Sequence, residues 1–135
     1  MKILVPVDAS TVALAPIAHL QALGRSGVEV EVLLLNVQPR FHRHVAQFTS
    51  RSARDLLRQE RSRLAMARAI EALSRTSLRW RAFAEVGRPA ERIAGVAERE
   101  QVDEIMMGVG RHPGWLRSWR SRSRARRLEN CAMWR

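Results

Sequence analysis

Residues 29–37 read Glu29-Val30-Glu31-Val32-Leu33-Leu34-Leu35-Asn36-Val37, and they decide the fold. The stretch opens with polar and apolar side chains in alternation and closes on an unbroken apolar run. That is the pattern of a strand entering a sheet covered on both faces, the habit of parallel sheets whose strands are joined by helices. Upstream, Lys2-Ile3-Leu4-Val5-Pro6-Val7 is apolar and β-branched, and it ends at Asp8-Ala9-Ser10, short polar side chains that suit a turn and a helix cap. Between the two strands, roughly Thr11 to Arg25, a helix can bury Leu14, Ile17, Ala18 and Leu20. Pro16 should kink that helix or delay its regular part, and Gly24 and Gly27 supply the stop.

Downstream, Asn36-Val37-Gln38-Pro39 ends the second strand, and residues 39–49 read as a loop. The longest helical pattern follows, roughly Ser50 to Ser74, with Leu57, Leu64 and Ala67 near one stripe and Met66, Ile70 and Leu73 extending its apolar face. Leu78 to Ala84 alternates at period two, which predicts a strand near an edge of the sheet. Gly87-Arg88-Pro89 starts a helix well, because proline fits the first helical position and Glu91 falls in the first turn. Val102 to Met107 is the next strand, stopped at Gly108-Val109-Gly110. Strands alternating with helices predict a parallel sheet with right-handed crossovers, in one three-layer α/β domain of Rossmann-like type. The carboxyl ends of such strands form the default ligand crevice, so Asp8, Val37 and Gly108 are expected to converge there.

Composition bounds the alternatives. The chain has 135 residues, 46% of them hydrophobic, and one cysteine, which suits a single domain and excludes a disulfide scaffold, a collagen-like chain and a long disordered polymer. Pro6 and Asp8 interrupt the first apolar run too early for a signal peptide, and no window approaches the length of a membrane span, so a cytoplasmic protein is expected. His42 and His44 are the only close histidines and have no thiol or carboxylate to complete a metal site, so they read as loop residues. The formal charge of +11 is uneven: residues 1–110 carry a net +4, and residues 111–135, with eight arginines and only Glu129, carry +7.

Four segments, in order, resemble the universal stress protein family: Ile3-Leu4-Val5-Pro6-Val7-Asp8-Ala9-Ser10, Glu29 through Val37, Gly87-Arg88-Pro89 through Ile93, and Val102-Asp103-Glu104-Ile105-Met106-Met107-Gly108. The resemblance covers about residues 2–110 and divides the chain into a family-like domain, 1–110, and a divergent basic segment, 111–135. It implies an adenine nucleotide alpha hydrolase-like sheet in a small cytoplasmic protein, commonly a homodimer, tied to tolerance of starvation, oxidative or respiratory stress. Some members bind ATP, with Mg2+ as the accompanying ion. By resemblance, Pro6, Asp8, Val37, Met107 and Gly108 match positions around adenine, ribose and the start of the phosphate loop.

The family's phosphate loop looks like Gly-x-x-Gly, nine residues, then Gly-Ser or Gly-Thr. Gly108 matches its first glycine, but Gly110 comes one residue early, Arg111 stands at the second glycine's place, and no Gly-Ser or Gly-Thr follows. Glycines there let backbone N–H groups approach phosphate without interference from a Cβ. Each candidate also has a plainer role: Asp8 as a helix cap, Gly108 and Gly110 as a strand-ending turn, Arg111 as a solvated charge. No spacing identifies a nucleophile, a base and an oxyanion site together, which leaves slow ATP hydrolysis as the only enzymatic reading.

The segment Gly114 to Arg127 interleaves arginine with Trp115 and Trp119. Arginine pairs with phosphate and tryptophan stacks on bases, so the tail is a candidate nucleic-acid contact, against a solvated extension. Attachment to an anionic membrane is disfavoured because the arginines leave no broad apolar face. The family's final helix and apolar fifth strand have no clear counterpart, since Cys131 to Arg135 is short and poorly patterned. A naturally divergent end and a shifted reading frame both account for that break.

Overall fold

The computed structural model describes residues 1–8 and 14–108, together with the backbone of residues 133–134. Its elements are β1 (Lys2–Pro6), α1 (Ala15–Arg25), β2 (Glu31–Gln38), α2 (Arg43–Phe48), α3 (Arg51–Ser74), β3 (Arg79–Val86), α4 (Pro89–Arg99), β4 (Glu104–Ile105), β5 (Met107–Gly108) and β6 (Met133–Trp134). Four strands form an all-parallel sheet in the order β3-β2-β1-β4, and β5 pairs in parallel with β6. The α/β architecture expected from the alternation of elements is therefore present. The chain's end also adds a two-residue strand, where its patterning offered too little for a complete one.

Both faces of the sheet are buried, and this explains the unbroken Leu33-Leu34-Leu35 run. Successive side chains of a strand point to opposite faces. Ile3, Val5, Val32 and Leu34 accordingly pack with Ile17 and Leu20 of α1 and with Met66, Ala69 and Leu73 of α3. Leu4, Leu33, Leu35 and Ile105 pack with Ile93 and Val96 of α4 on the other face. Sandwiched between the helix layers, β1 and the middle of β2 are sealed from solvent. The edge strand β3 is only partly covered, Trp80 toward one core and Phe83 toward the other.

Several boundaries differ from the sequence reading for identifiable reasons. Helix α1 begins at Ala15, with Pro16 in its first turn, so the proline sets the start of the helix and does not kink its middle. Its cap position is Leu14, which makes no side-chain cap bond, so Asp8 is not the cap of α1. Residues 43–48, read as loop, form the short helix α2. Helix α3 starts one residue later than expected because Ser50 is its cap, its Oγ accepting from Ala53 N at 3.1 Å. The face α3 buries is Ser62, Met66, Ala69 and Leu73, whereas Leu57 and Leu64, 42% and 58% exposed, look outward. Helix α4 begins as its sequence indicates, with Arg88 as cap, Pro89 in the first position and Glu91 in the first turn.

Candidate functional site

The chain runs from β1 to β2 to β3 in one direction, with α1 and α3 on one face, and then returns across the sheet to β4 with α4 on the other. The direction of travel thus reverses between β1 and β4. Such a switch point splays the loops at the carboxyl edge and leaves a crevice there. At that edge the chain continues past the β1–β4 pairing as Pro6, Val7 and Asp8 on one side and as Met107 and Gly108 on the other.

Pro6 ends the pairing between these two strands. Leu4 faces β4 in the ladder, its carbonyl accepting from Met106 N at 2.9 Å. The next backbone N–H of β1 on that side would belong to residue 6 and would reach the carbonyl of Met106. Proline has no N–H. The β1–β4 ladder therefore ends at Leu4 and Ile105, while on the other side β1 stays joined to β2 through Val7 N, which donates to Leu35 O at 2.8 Å.

A buried polar cluster holds the chain as it leaves β1. The Asn36 side chain, 2% exposed, donates from Nδ2 to the carbonyl of Val7 at 2.9 Å. Its Oδ1 accepts from Ser62 Oγ of α3 at 2.9 Å and from Gln38 Nε2 at 2.8 Å. Polar groups this deep need such partners. Here they tie together the end of β1, the end of β2 and the middle of α3, directly beneath Asp8. Sequence reasoning used Asn36 only to end a strand; the signal for its role was an amide directly after five consecutive apolar residues.

Of the residues assigned to a site from sequence, Asp8 is exposed, Pro6 and Met107 are buried, and Gly108 is half-buried. Val37, at the end of β2, packs against the same core cluster as Met107. These five share the carboxyl edge of the sheet. Gly110 and Arg111 lie outside the described residues, as do His112, the tryptophan and arginine tail through residue 132, and hence the phosphate-loop and nucleic-acid readings that rest on them. Among the described residues there is no group of three or more His, Cys, Asp or Glu placed to hold a metal ion. None of their helices is long and apolar enough to cross a membrane.

With this geometry in place, comparison with known proteins is informative. The family model described as Universal stress protein family matches residues 1–127. The structure of a universal stress protein family member from Burkholderia pseudomallei is similar at a TM-score of 0.65 and 20% identity, over 88% of this chain and 89% of that one. An Arabidopsis thaliana family protein with AMP bound gives a TM-score of 0.65 at 18% identity, over 98% and 87% of the two chains. A universal stress protein in complex with cAMP gives 0.59 at 14% identity, over 78% and 73%. At such identities the likeness is one of fold. No curated protein sequence matches the chain.

Proposed function

This chain belongs to the universal stress protein family, and from that premise we propose that it is a stress-response protein that binds an adenine nucleotide, ATP among them, in the crevice between β1 and β4. The observation that carries the reading is the end of the β1–β4 ladder at Leu4 and Ile105, where Pro6 has no N–H to continue it and Asp8 and Gly108 follow at the same carboxyl edge of the sheet. Two relatives of the same fold, one with AMP and one with cAMP, support it.

The residues present suit the nucleoside half of such a ligand. The carboxylate of Asp8 can accept hydrogen bonds from ribose hydroxyls or from the adenine amino group. Val37 and Met107 offer apolar walls for the base, and Gly108 brings backbone close without a Cβ. Gly110 and Arg111 continue toward the phosphates in sequence. A Mg2+ ion would be held chiefly by the nucleotide's own phosphates, since Asp8 is the one carboxylate among the described crevice residues. By the same family reading the protein works as a cytoplasmic homodimer, which sedimentation equilibrium tests.

Calorimetric titration of the full chain with AMP, and with ATP and Mg2+, should show saturable binding. Asp8→Asn should weaken it about tenfold or more, the worth of a hydrogen bond to a charged group. Absence of binding at millimolar nucleotide, with the chain shown folded by circular dichroism, would overturn the proposal.

The concentration of charge beyond residue 110 favours a second reading, contact with nucleic acid through the tail. It requires affinity that falls steeply with salt, and a smaller salt slope when Arg117, Arg120, Arg122 and Arg124 are changed to glutamine. An unchanged slope removes the tail from the interaction.

A further inference from the structure

A cavity of about 360 Å3 lies at the carboxyl ends of β2 and β3. Its walls include four arginines, Arg40, Arg51, Arg54 and Arg58, with Phe41 and Val86 as apolar surface. Arg51, Arg54 and Arg58 are spaced at i, i+3 and i+7, which sets them on one face of α3. Arg40 follows β2 and completes the ring from the other side.

Most arginines on the sheet and on α4 are neutralised: Arg79, Arg81, Arg92 and Arg99 each sit within 4.0 Å of a glutamate. The cavity arginines differ. Among the described residues, Arg40, Arg51 and Arg54 have no carboxylate at ion-pairing distance, and Arg58 has only Asp55, at 3.3 Å. Two of the four are nevertheless held in place. Arg54 Nη1 donates to the carbonyl of Ala46 in α2 at 2.7 Å. The Arg58 guanidinium stacks 5.0 Å from the centre of the Phe41 ring, and Arg61 lies over the same ring at 5.5 Å. The Nε of Arg58 is buried without any hydrogen-bond acceptor. Oriented guanidiniums around a small cavity, three of them without a carboxylate and Arg58 with an unused buried donor beside its single partner Asp55, form a site for an anion with several acceptor oxygens.

We propose that this cavity binds a small phosphate-bearing anion of two or more negative charges, a phosphomonoester or a diphosphate, with Arg54 and Arg58 as direct ligands and Arg40 and Arg51 closing over it. The cavity neighbours the β2 side of the proposed nucleotide site, because Val86 pairs with Gln38, the residue after Val37. Val86 ends β3, two strands from β1, a separation of about 10 Å at the usual interstrand spacing.

The test is calorimetric titration of the full chain with inorganic diphosphate at physiological salt, paired with NMR of the arginine Nε–H groups. The expected result is one saturable event that shifts the Arg54 and Arg58 signals. Arg54→Gln should weaken it at least tenfold, whereas Arg63→Gln, which removes the same charge from an exposed position of α3, should change it less than twofold. If Arg54→Gln fails to fold, Arg51→Gln at the exposed rim serves the same comparison. Equal losses in the cavity and control variants would mean diffuse attraction to a basic protein and would overturn the proposal, as would binding that leaves both arginine signals unmoved. A parallel titration separates the two sources of phosphate. AMP that displaces diphosphate and shifts these arginines marks a nucleotide phosphate as the ligand, and AMP that does neither marks a free phosphate compound. Adenosine, which lacks phosphate, should leave the arginine signals in place even if it fills the crevice.

Discussion

The carboxamide of Asn36 joins three segments that are far apart in the chain, Val7, Gln38 and Ser62. Replacing it with alanine removes the acceptor for Ser62 Oγ and the donor to the Val7 carbonyl, both in buried surroundings. Each buried group left unsatisfied costs about 1 to 3 kcal/mol, so Asn36→Ala should lower stability by about 2 to 4 kcal/mol in urea denaturation. Ser62→Ala, which leaves Asn36 two of its three bonds, should cost about 1 kcal/mol. At the same carboxyl end of β2, Gly87 has a φ of +143° and donates its N–H to Gln38 O at 3.0 Å. A Cβ there would stand 2.7 Å from Arg92 Nε, within reach of relief by the flexible side chain, but the backbone conformation stays unfavourable for any L residue. Gly87→Ala should therefore destabilise by about 1 to 3 kcal/mol, read as a lowered denaturation midpoint with an unchanged slope.

Helix α3 shows why an element can be anticipated while its orientation is not. Its length and amphipathic character follow from periodicity, but leucines at 57 and 64 are as apolar as the Met66 and Leu73 that the fold buries. Which stripe faces the sheet is settled by Ser62 meeting Asn36 and by the small Ala69 allowing close approach. Leu73→Ala should cost about 2 to 5 kcal/mol, and Leu64→Ala, at an exposed position, less than about 0.5 kcal/mol; equal effects in thermal melts would contradict this orientation. On the same helix, hydrogen bonding and then the charge of Arg63 hold the Glu60 carboxyl below the usual carboxylate range. The stability it lends is present above the ordinary glutamate titration and is lost as pH falls through the depressed value, so Arg63→Gln should raise the Glu60 midpoint in an NMR titration. The strands were legible because doubly covered strands announce themselves as apolar runs and their ends follow from turn residues, which puts Asp8, Val37, Met107 and Gly108 at one carboxyl edge of the sheet. The Asn36–Ser62 bond and the arginine cavity were not, because each pairs residues that only the folded topology makes neighbours. Helix α2 was missed for a related reason: it has no buried residue to mark a face.

For the molecule as a whole, the sheet order implies a graded stability. Strands β1 and β2 are hydrogen-bonded on both sides and buried on both faces, while among the described residues β3 is paired only with β2 and carries Arg79 and Arg81 on its exposed positions. Those charges discourage a second sheet from docking along that edge. Amide exchange should accordingly be slowest in Ile3–Val5 and Val32–Leu35 and faster along β3; uniform protection across all three strands would mean that the sheet opens only by global unfolding. The two-sided burial of β2 has another effect. A strand with one wet face is kept in place by its own alternation, since slipping by one residue would put apolar side chains into water. β2 has no wet face along Val32 to Leu35, so a one-residue slip would merely trade one set of aliphatic side chains for another. The penalty for that error falls on Asn36: a slip would turn its amide away from Ser62 and the Val7 carbonyl into the oily layer beneath α4. One polar residue thus serves the sheet as a proofreading mark, distinguishing two alignments that hydrophobicity alone would score alike.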